Sequence, residues 1–304
     1  MKNWKETVKH CTLCPRQCGA DRTARAGFCG VGAQVRVARA ALHQWEEPCI
    51  SGQRGTGAVF FSGCTLRCCF CQNAALSAKA FGRDITTERL GAIFLELQQQ
   101  GAQSLSLISP TPFAPHIAQA LADVRGRLHI PVVWNTGGYE KAETLAMLEG
   151  LVDVYLPDLK YKSAELSARY SSAPDYFERA GEALCEMVRQ TGKPKFSPEG
   201  ILLKGTLVRH LVLPGAWRDG EAVMQWLAQA FPQGQVLVSV MSQYTPSFVQ
   251  GDFPELKRRV TTYEYRKVLE QVQELGLEGY CQDRASASAD YTPDFDLTGV
   301  EPSV

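Results

Sequence analysis

Short apolar runs alternate along this chain with longer stretches of helical periodicity. The apolar runs predict strands, because each is too short for a helix and is bounded by Gly, Pro or Asn. They lie at 57–62, 104–108, 130–134, 152–156, 206–213 and 235–241. Apolar positions recur at helical spacing at 87–100, 114–125, 141–149, 175–191, 220–230 and 261–275. This alternation predicts parallel strands with crossover helices, an α/β fold that forms a partial (β/α)6 TIM-like barrel.

The two ends of the chain lack this pattern. Residues 1–50 are rich in Cys, Arg and Gly with little apolar periodicity, so we expect a metal to hold this segment together. We therefore predict a Cys-rich metal-binding segment at 1–50, a barrel at 51–281 and a tail at 282–304 that folds back over an opening. Segments rich in Gly, Pro and Ser predict loops at 192–200 and 245–254.

Composition narrows the class of protein. With 304 residues the chain is long enough for one barrel and a small appendage. Its 32 basic and 32 acidic residues balance, so no overall field attracts nucleic acid or anionic lipid. There is no apolar signal segment and no apolar run of about 18 residues, which predicts a cytoplasmic protein. In that compartment eleven cysteines indicate metal sites in preference to disulfides.

One group of cysteines follows the first predicted strand. Cys64, Cys68 and Cys71 are spaced C-x3-C-x2-C in the run GCTLRCCFCQN. A [4Fe–4S] cube normally takes four thiolates, so three would leave one iron open for another ligand. The alternatives are a zinc knuckle or a loop of free thiols. Zinc sites usually have two C-x2-C pairs or added histidines, and no His lies near residues 64–71.

This spacing, with an aromatic residue before the last cysteine, resembles the cluster motif of the radical S-adenosylmethionine (SAM) superfamily. The resemblance implies that the open iron binds the amino and carboxylate groups of SAM. It also implies that an electron from the cluster cleaves SAM to a 5′-deoxyadenosyl radical.

Further segments resemble the glycyl-radical-enzyme activases, such as pyruvate formate-lyase activating enzyme. These segments are GTGAVFFSGCTLRCCFCQN at 55–73, NTGGY at 135–139, LPDLK at 156–160 and VRHLVLPG at 208–215. The whole chain is similar to a branch of iron–sulfur proteins related to that enzyme. The segments that carry this second resemblance are CTLCPRQC, SPTPFAPHI, WNTGGYE, VDVYLPDLKY and SVMSQYTP.

The resemblance implies a set of SAM-contacting residues, which are Phe70, Ser109, Thr111, Asn135, Thr136, Asp158, Lys160 and Gln243. Asp158 and Lys160 alternate with apolar neighbours and so project to one face of a strand. There Lys160 would neutralise a carboxylate, and Asp158 would accept from a ribose hydroxyl or an ammonium. The alternative is an ion pair at a strand end. For Gln243, the alternative is a loop side chain that faces water.

Two positions depart from the activase pattern. Those enzymes have Ser-Gly-Gly-Glu after the second strand, whereas this chain has SPTP at 109–112. Because proline has no N–H group, recognition there would rest on carbonyls and on the Ser109 and Thr111 hydroxyls. Asn135 replaces an Asp that is linked to a cation beside the SAM carboxylate. Because the Asn135 amide carries no charge, we do not extend the prediction of this cation to this chain.

A second group consists of Cys11, Cys14, Cys18 and Cys29, spaced C-x2-C-x3-C-x10-C. Four thiolates form a closed site, which suits either structural zinc or a saturated [4Fe–4S] cluster. Unliganded thiols are the third alternative. A cluster at this position could relay electrons to the first site, whereas zinc could only fold the segment.

The function predicted from these features is a radical SAM enzyme, an activase-like oxidoreductase, that acts on a protein, peptide or small molecule. The alternatives are a glycyl-radical-enzyme activase and a non-catalytic iron–sulfur electron-transfer protein. We expect a reducing flavodoxin or ferredoxin-type electron donor, a protein or peptide substrate, and no nucleic acid or membrane partner. No catalytic residue is assigned beyond the cluster ligands, apart from Cys281 as a candidate hydrogen-atom relay.

Overall fold

A computed structural model describes residues 4–282 and 293–301 of the chain. Within these ranges the strands are β1 (Val35–His43), β2 (Thr56–Phe61), β3 (Arg83–Ile85), β4 (Leu105–Ile108), β5 (Val132–Thr136), β6 (Val154–Pro157), β7 (Lys195–Phe196), β8 (Leu202–Leu211), β9 (Leu237–Met241) and β10 (Gly279–Cys281). The α-helices are α1 (Trp4–Thr7), α2 (Pro48–Ser51), α3 (Ala74–Ser77), α4 (Thr87–Gln99), α5 (Ala114–Val124), α6 (Ala142–Leu145), α7 (Ala164–Ser171), α8 (Tyr176–Thr191), α9 (Trp217–Ala230) and α10 (Thr262–Glu274). Short 3-10 turns lie at Thr111–Phe113, Ala146–Leu148, Pro246–Phe248 and Pro254–Leu256.

All the strands of the described residues belong to one sheet, in the order β10-β9-β8-β6-β5-β4-β2-β1-β3, with β7 antiparallel to β8. The run from β2 to β10 is parallel, whereas β1 is antiparallel to both β2 and β3. The sheet therefore curls as an open, partial barrel with an antiparallel edge. This confirms the predicted α/β class, and each of the six predicted strands coincides with a parallel strand of the sheet.

The interior strands are apolar on both faces, as expected where helices cover one side and a packed lumen fills the other. Every residue of β2, β4, β5, β6 and β9 is buried. On α4, Leu90, Ile93, Phe94 and Leu97 repeat at helical spacing and are buried. This helix begins at a cap in which the Thr86 hydroxyl accepts from the Arg89 amide.

Residues 1–50 contain an apolar periodicity that the sequence analysis missed, in β1. Val35 and Val37 alternate with Arg36 along this strand and are fully buried. The alternation has the two-residue period of a strand with one covered face. Helix α7 was also missed, and the predicted loops at 192–200 and 245–254 contain β7 and the turn Pro246–Phe248.

Part of the predicted tail packs along β1. The Leu297 amide donates to the Ala38 carbonyl at 3.0 Å, and the Ala40 amide donates to the Thr298 carbonyl at 2.8 Å. Arg89 then donates to the carbonyls of 299–301. Residues 283–292 and 302–304 of the predicted tail lie outside the described residues. No helix in the described ranges has the length and apolar character needed to cross a bilayer.

Candidate active site

A cavity opens where the parallel strands β2, β4, β5, β6, β8 and β9 end. Its walls come from the residues at those carboxyl ends, together with the loop after β2, the segment after β1 and Pro293 of the tail. Because parallel strands all end at the same edge, residues far apart in sequence meet here. The polar or reactive residues among them include His43, Glu46, Cys64, Cys68, Cys71, Ser109, Asn135, Thr136, Asp158, Lys160, Arg209 and Gln243.

The cysteine loop leaves β2 through a turn that requires glycine. Gly63 has a φ of 84°, and a Cβ there would lie 2.8 Å from the Cys29 carbonyl oxygen. A larger residue would therefore be strained and would push the two segments apart. The Cys64 amide donates to that same carbonyl at 3.2 Å. The turn thus sets the start of the loop directly against Cys29.

The sulfur atoms of Cys64, Cys68 and Cys71 each accept one hydrogen bond. The donors are the Leu66 amide at 3.4 Å, the Ser171 hydroxyl at 3.0 Å and the Ser77 hydroxyl at 3.3 Å, respectively. Hydrogen bonds of this kind stabilise thiolate ligands and tune the potential of a cluster bound to them.

Burial raises the pKa of the Cys64 and Cys68 thiols, and only partial compensation comes from the nearby Lys160 ammonium. As free groups they would be neutral, so a bound metal would supply the charge that makes them thiolates.

A buried network of charges lines the cavity close to this loop. Asp158 accepts from the Lys160 ammonium at 2.5 Å and from Arg209 Nε at 2.9 Å. Arg209 also donates to the Asn135 amide oxygen at 2.7 Å. Burial alone would raise the pKa of Asp158, but Arg209 and Lys160 outweigh it and lower the pKa. The ion pair of Asp158 and Lys160 is therefore part of the cavity wall and is not a solvated pair on the surface.

Glu46 completes this network and was not identified from the sequence. Both of its carboxyl oxygens accept from the Asn135 side-chain amide, at 3.1 and 3.2 Å. Burial raises the pKa of Glu46 to about 7, although Arg209 opposes the shift. The carboxylate of an Asp at position 135 would repel the Glu46 carboxylate. The Asn135 amide instead donates to Glu46 and accepts from Arg209. The amide at this departure from the activase pattern therefore has a structural reason.

Glu46 reaches the cavity because the segment after β1 enters the lumen of the barrel. Helix α2 follows it, and Cys49 and Ile50 pack there against Val133, Val154, Leu156, Leu202, Leu207 and Leu237 of the strands. Next to Glu46, Glu47 accepts from the Ser239 hydroxyl at 3.0 Å. Only the order of strands brings this segment under the cavity, so no local pattern could have identified it.

Seven of the eight residues predicted to contact SAM line the cavity, which are Phe70, Ser109, Asn135, Thr136, Asp158, Lys160 and Gln243. Ser109 has a φ of 58°, an uncommon conformation for a residue other than glycine and one that occurs at ligand sites. Thr111 is not among the described residues that line the cavity. It is buried, and its hydroxyl donates to Glu140 at 2.6 Å. Cys281 is exposed on β10 and also does not line the cavity.

The second cysteine group meets the first cysteine loop at Cys29. A Cβ added at Gly27 would lie 3.5 Å from the Cys18 sulfur and 3.6 Å from the Cys29 sulfur, so these two sulfurs flank one small residue. Burial raises the pKa of Cys14 to about 12, and negative charge on Cys29 and Cys11 acts in the same direction. Cys11 and Cys29 are buried, whereas Cys18 is exposed. Cys18 and Cys29 are therefore neighbours, and Cys11 and Cys14 lie near enough to Cys29 for their charges to interact.

In the described part of the chain, no three His, Cys, Asp or Glu side chains are grouped as ligands of a single metal ion. A [4Fe–4S] cube differs from such a site, because each of its cysteine ligands binds a different iron.

Comparison with known proteins identifies the fold. The Radical SAM superfamily matches residues 58–197, which run from β2 to β7 and include the first cysteine group. An uncharacterised protein of Methanocaldococcus jannaschii is 27% identical over 90% of this chain and 77% of its own length. The resemblance to the radical SAM superfamily, whose members are enzymes, is thus confirmed.

Two solved structures are similar in fold. SuiB of Streptococcus suis, bound to its precursor peptide SuiA, superposes with a TM-score of 0.52 at 15% identity, over 72% of this chain and 46% of SuiB. A radical SAM methyltransferase from Sphaerobacter thermophilus superposes with a TM-score of 0.51 at 13% identity, over 75% of this chain and 66% of the methyltransferase. The chain therefore spans less than half of SuiB and 66% of the methyltransferase.

Proposed function

We propose that this chain, a member of the radical SAM superfamily, binds a [4Fe–4S] cluster through Cys64, Cys68 and Cys71. The cluster and SAM would supply a 5′-deoxyadenosyl radical, which takes a hydrogen atom from a protein, peptide or small-molecule substrate at the cavity mouth. The observation that supports this most is the arrangement of three hydrogen-bonded cysteine sulfurs at the edge of a cavity that holds buried charges of both signs.

The chemistry of the cavity suits a zwitterionic ligand. SAM carries an amino-acid ammonium and carboxylate, and its ribose has hydroxyl groups. Lys160 and Arg209 offer cations to the carboxylate, while Glu46 offers a buried carboxyl group to the ammonium. Because these groups are already paired with each other in the protein, they are held in position before the ligand arrives.

Other residues of the chain orient and shield the site. The Tyr176 hydroxyl donates to the carbonyls of Gly137 and Asp158 and accepts from the Lys160 amide, so it links the ends of β5 and β6. Phe70 is buried and packs edge to face against Tyr244. These contacts keep the cysteine loop and the charged wall in a fixed relation and reduce the access of water to the sulfurs.

The test is SAM cleavage by anaerobically reconstituted protein after reduction with dithionite. We expect about four irons in the first cysteine site and formation of 5′-deoxyadenosine. Cys64→Ala should lose this iron and reduce cleavage to background. Cys69→Ala is the matched control. Cys69 lies in the same loop, but we do not expect it to bind the cluster, because a fourth thiolate would occupy the open iron. Full cleavage by the Cys64→Ala protein would overturn the proposal.

The second candidate is a glycyl-radical-enzyme activase. It is supported by the order of the activase-like segments, since NTGGY ends β5 and LPDLK ends β6 beside the cysteine loop. An activase should produce a glycyl-radical doublet by electron paramagnetic resonance (EPR) when it is mixed with a glycyl-radical enzyme and SAM. If the protein cleaves SAM but produces no doublet with any glycyl-radical enzyme of the host, the result would favour a radical SAM enzyme that acts on another substrate. For either candidate we propose a flavodoxin or ferredoxin-type protein as the reductant.

A further inference from the structure

The two cysteine groups are connected through the backbone. The Cys29 carbonyl oxygen accepts from the Cys64 amide at 3.2 Å. A path from the Cys29 sulfur to the Cys64 sulfur therefore consists of covalent bonds and this one hydrogen bond. Gly63 makes the contact close, because its missing Cβ leaves room for the Cys29 carbonyl. One ligand of each predicted site is thus in direct contact with a ligand of the other.

Arg16 holds the two groups together from a second side. Its guanidinium donates to the carbonyl of Thr65, which lies inside the catalytic loop, at 2.9 Å. It also lies over the ring of Phe28, the residue next to Cys29, at 4.2 Å from the centroid. The contact between the groups is therefore fixed in position by both strand-end geometry and side-chain packing.

A buried arginine lies beside the N-terminal group. Arg22 is 2% exposed and donates to the carbonyls of Gly32 and Pro112. Its guanidinium also lies 5.4 Å from the centroid of the Phe113 ring and 3.9 Å from the Cys11 sulfur. A buried cation is costly unless an anion accompanies it. Four metal-bound thiolates would provide that negative charge, whereas four protonated thiols would not.

The N-terminal group also extends to the protein surface. Cys18 is exposed, whereas Cys29, whose carbonyl accepts from the Cys64 amide, is buried. The group therefore lies between solvent and the site that needs an electron. Zinc has no accessible redox change, so it could not use this position, but an iron–sulfur cluster could.

We propose that Cys11, Cys14, Cys18 and Cys29 bind a redox-active [4Fe–4S] cluster that relays electrons to the catalytic cluster. A flavodoxin or ferredoxin-type donor is oxidised by one electron at the Cys18 face, and the relay cluster is reduced. The relay cluster then returns to its oxidised state as the catalytic cluster gains that electron. This inference rests on the proposed function, because it needs a catalytic cluster to reduce.

The first experiment identifies the metal. A Cys64→Ala, Cys68→Ala, Cys71→Ala triple variant retains only the N-terminal group, and we expect it to bind about four irons with matching sulfide. Reduction should then produce the EPR signal of a one-electron-reduced cluster. Zinc without residual iron, or no metal, would overturn the inference. Neither result would affect the proposed function if the native chain still cleaves SAM after dithionite reduction.

The second experiment follows the electron in the native, two-cluster protein. The protein is mixed with reduced flavodoxin and freeze-quenched, and SAM is added because it should alter only the signal of the catalytic cluster. We expect the N-terminal signal to appear first and to decay as the catalytic signal grows. If the catalytic cluster is reduced first, the relay is wrong. This test requires no variant and so does not depend on the folding of one.

A variant then separates relay from structural support. If electrons pass through the relay cluster, flavodoxin should reduce the catalytic cluster of the native protein in a fast phase, and Cys18→Ser should lose this phase. Photoreduced deazaflavin is a small reductant and should still reduce the catalytic cluster of the variant at the native rate. Cys185→Ser, at another exposed cysteine, is the matched control and should keep the fast phase. Loss of reduction by both reductants would show a structural role and would overturn the relay, as would an unchanged fast phase.

Discussion

The two cysteine groups have the same kind of ligand but are supported in different ways. Cys64, Cys68 and Cys71 follow a buried strand, and their sulfurs face a cavity with a preformed set of charges. The N-terminal cysteines lie on a segment without a described helix or strand between residues 8 and 34, apart from turns. The end of a buried strand therefore positions Cys64, Cys68 and Cys71, whereas long side chains such as Arg16 hold the N-terminal segment in place.

Two arginines illustrate this contrast. Arg209 is held among the side chains of Asp158, Asn135 and Glu46, so charge is concentrated next to the catalytic loop. Arg16 donates to the backbone carbonyls of Thr65, Ser171 and Ser172 and brings no carboxylate with it. One arginine serves the electrostatics of a ligand site, and the other joins two segments.

The largest expected effect is that of Arg209→Met. It would leave buried carboxyl groups without their cation, which typically costs about 3–5 kcal/mol of unfolding free energy. Arg189→Met is the matched control, because the Arg189 side chain is 54% exposed in its ion pairs with Glu186 and Glu149. Such pairs contribute at most about 1 kcal/mol. Anaerobic denaturant unfolding measures both, and equal losses would contradict the assignment of a buried charged wall.

The stability of the Glu46→Gln variant should depend on pH differently from that of the native protein. Burial raises the Glu46 pKa from 4.5 to about 7, so the native state binds more protons than the unfolded state in that window. The contribution of Glu46 to stability should then fall as pH rises from 4.5 to 7, by roughly 3 kcal/mol. The Gln variant lacks this loss, and its stability relative to the native protein should rise across the window. Arg209, Asn135 and Glu47 face this carboxyl group and remain in both proteins.

Unfolding measured at several pH values tests this dependence. Glu199→Gln is the control, because a hydrogen bond with the Ser197 hydroxyl lowers the pKa of exposed Glu199. Its effect should be small and opposite in sign. A difference between Glu46→Gln and the native protein that does not change with pH would contradict the raised pKa.

Arg16→Ala tests the other region. It removes the charged hydrogen bonds that join the N-terminal group to the catalytic loop, each typically about 1.5–3 kcal/mol, and solvent exposure reduces the total to about 2 kcal/mol. Arg25→Ala, at an exposed position of the same segment, should cost much less. Unfolding and iron retention measure the effect. If Arg25→Ala cost as much as Arg16→Ala, Arg16 would not be the residue that joins the segments.

The smallest expected effect is that of Cys281→Ser. Cys281 is exposed on β10 and is not among the described residues that line the cavity. We expect SAM cleavage and reduction of both clusters at native rates, measured as 5′-deoxyadenosine formation and by EPR. A loss of substrate turnover with normal SAM cleavage would restore the hydrogen-relay hypothesis.

Much of the fold could be predicted from local pattern. Short apolar runs identified the six parallel strands, because strands buried on both faces are apolar throughout. Strand β1 was missed because Val35 and Val37 alternate with Arg36 in a segment that also contains the N-terminal cysteines. Thr111 was placed in the site by resemblance, but the prolines beside it form a turn in which its hydroxyl is directed to Glu140.

By itself the sequence determined the candidate cluster ligands, because the spacing of Cys64, Cys68 and Cys71 within one loop is a local property. It also determined that this loop follows a strand end. Only the tertiary structure decided which charges face the loop, since Asn135 and Arg209 are 74 residues apart and meet through strand order. It likewise decided that Cys29 contacts Cys64. The cost of burying a charge depends on such long-range neighbours, which local spacing does not specify.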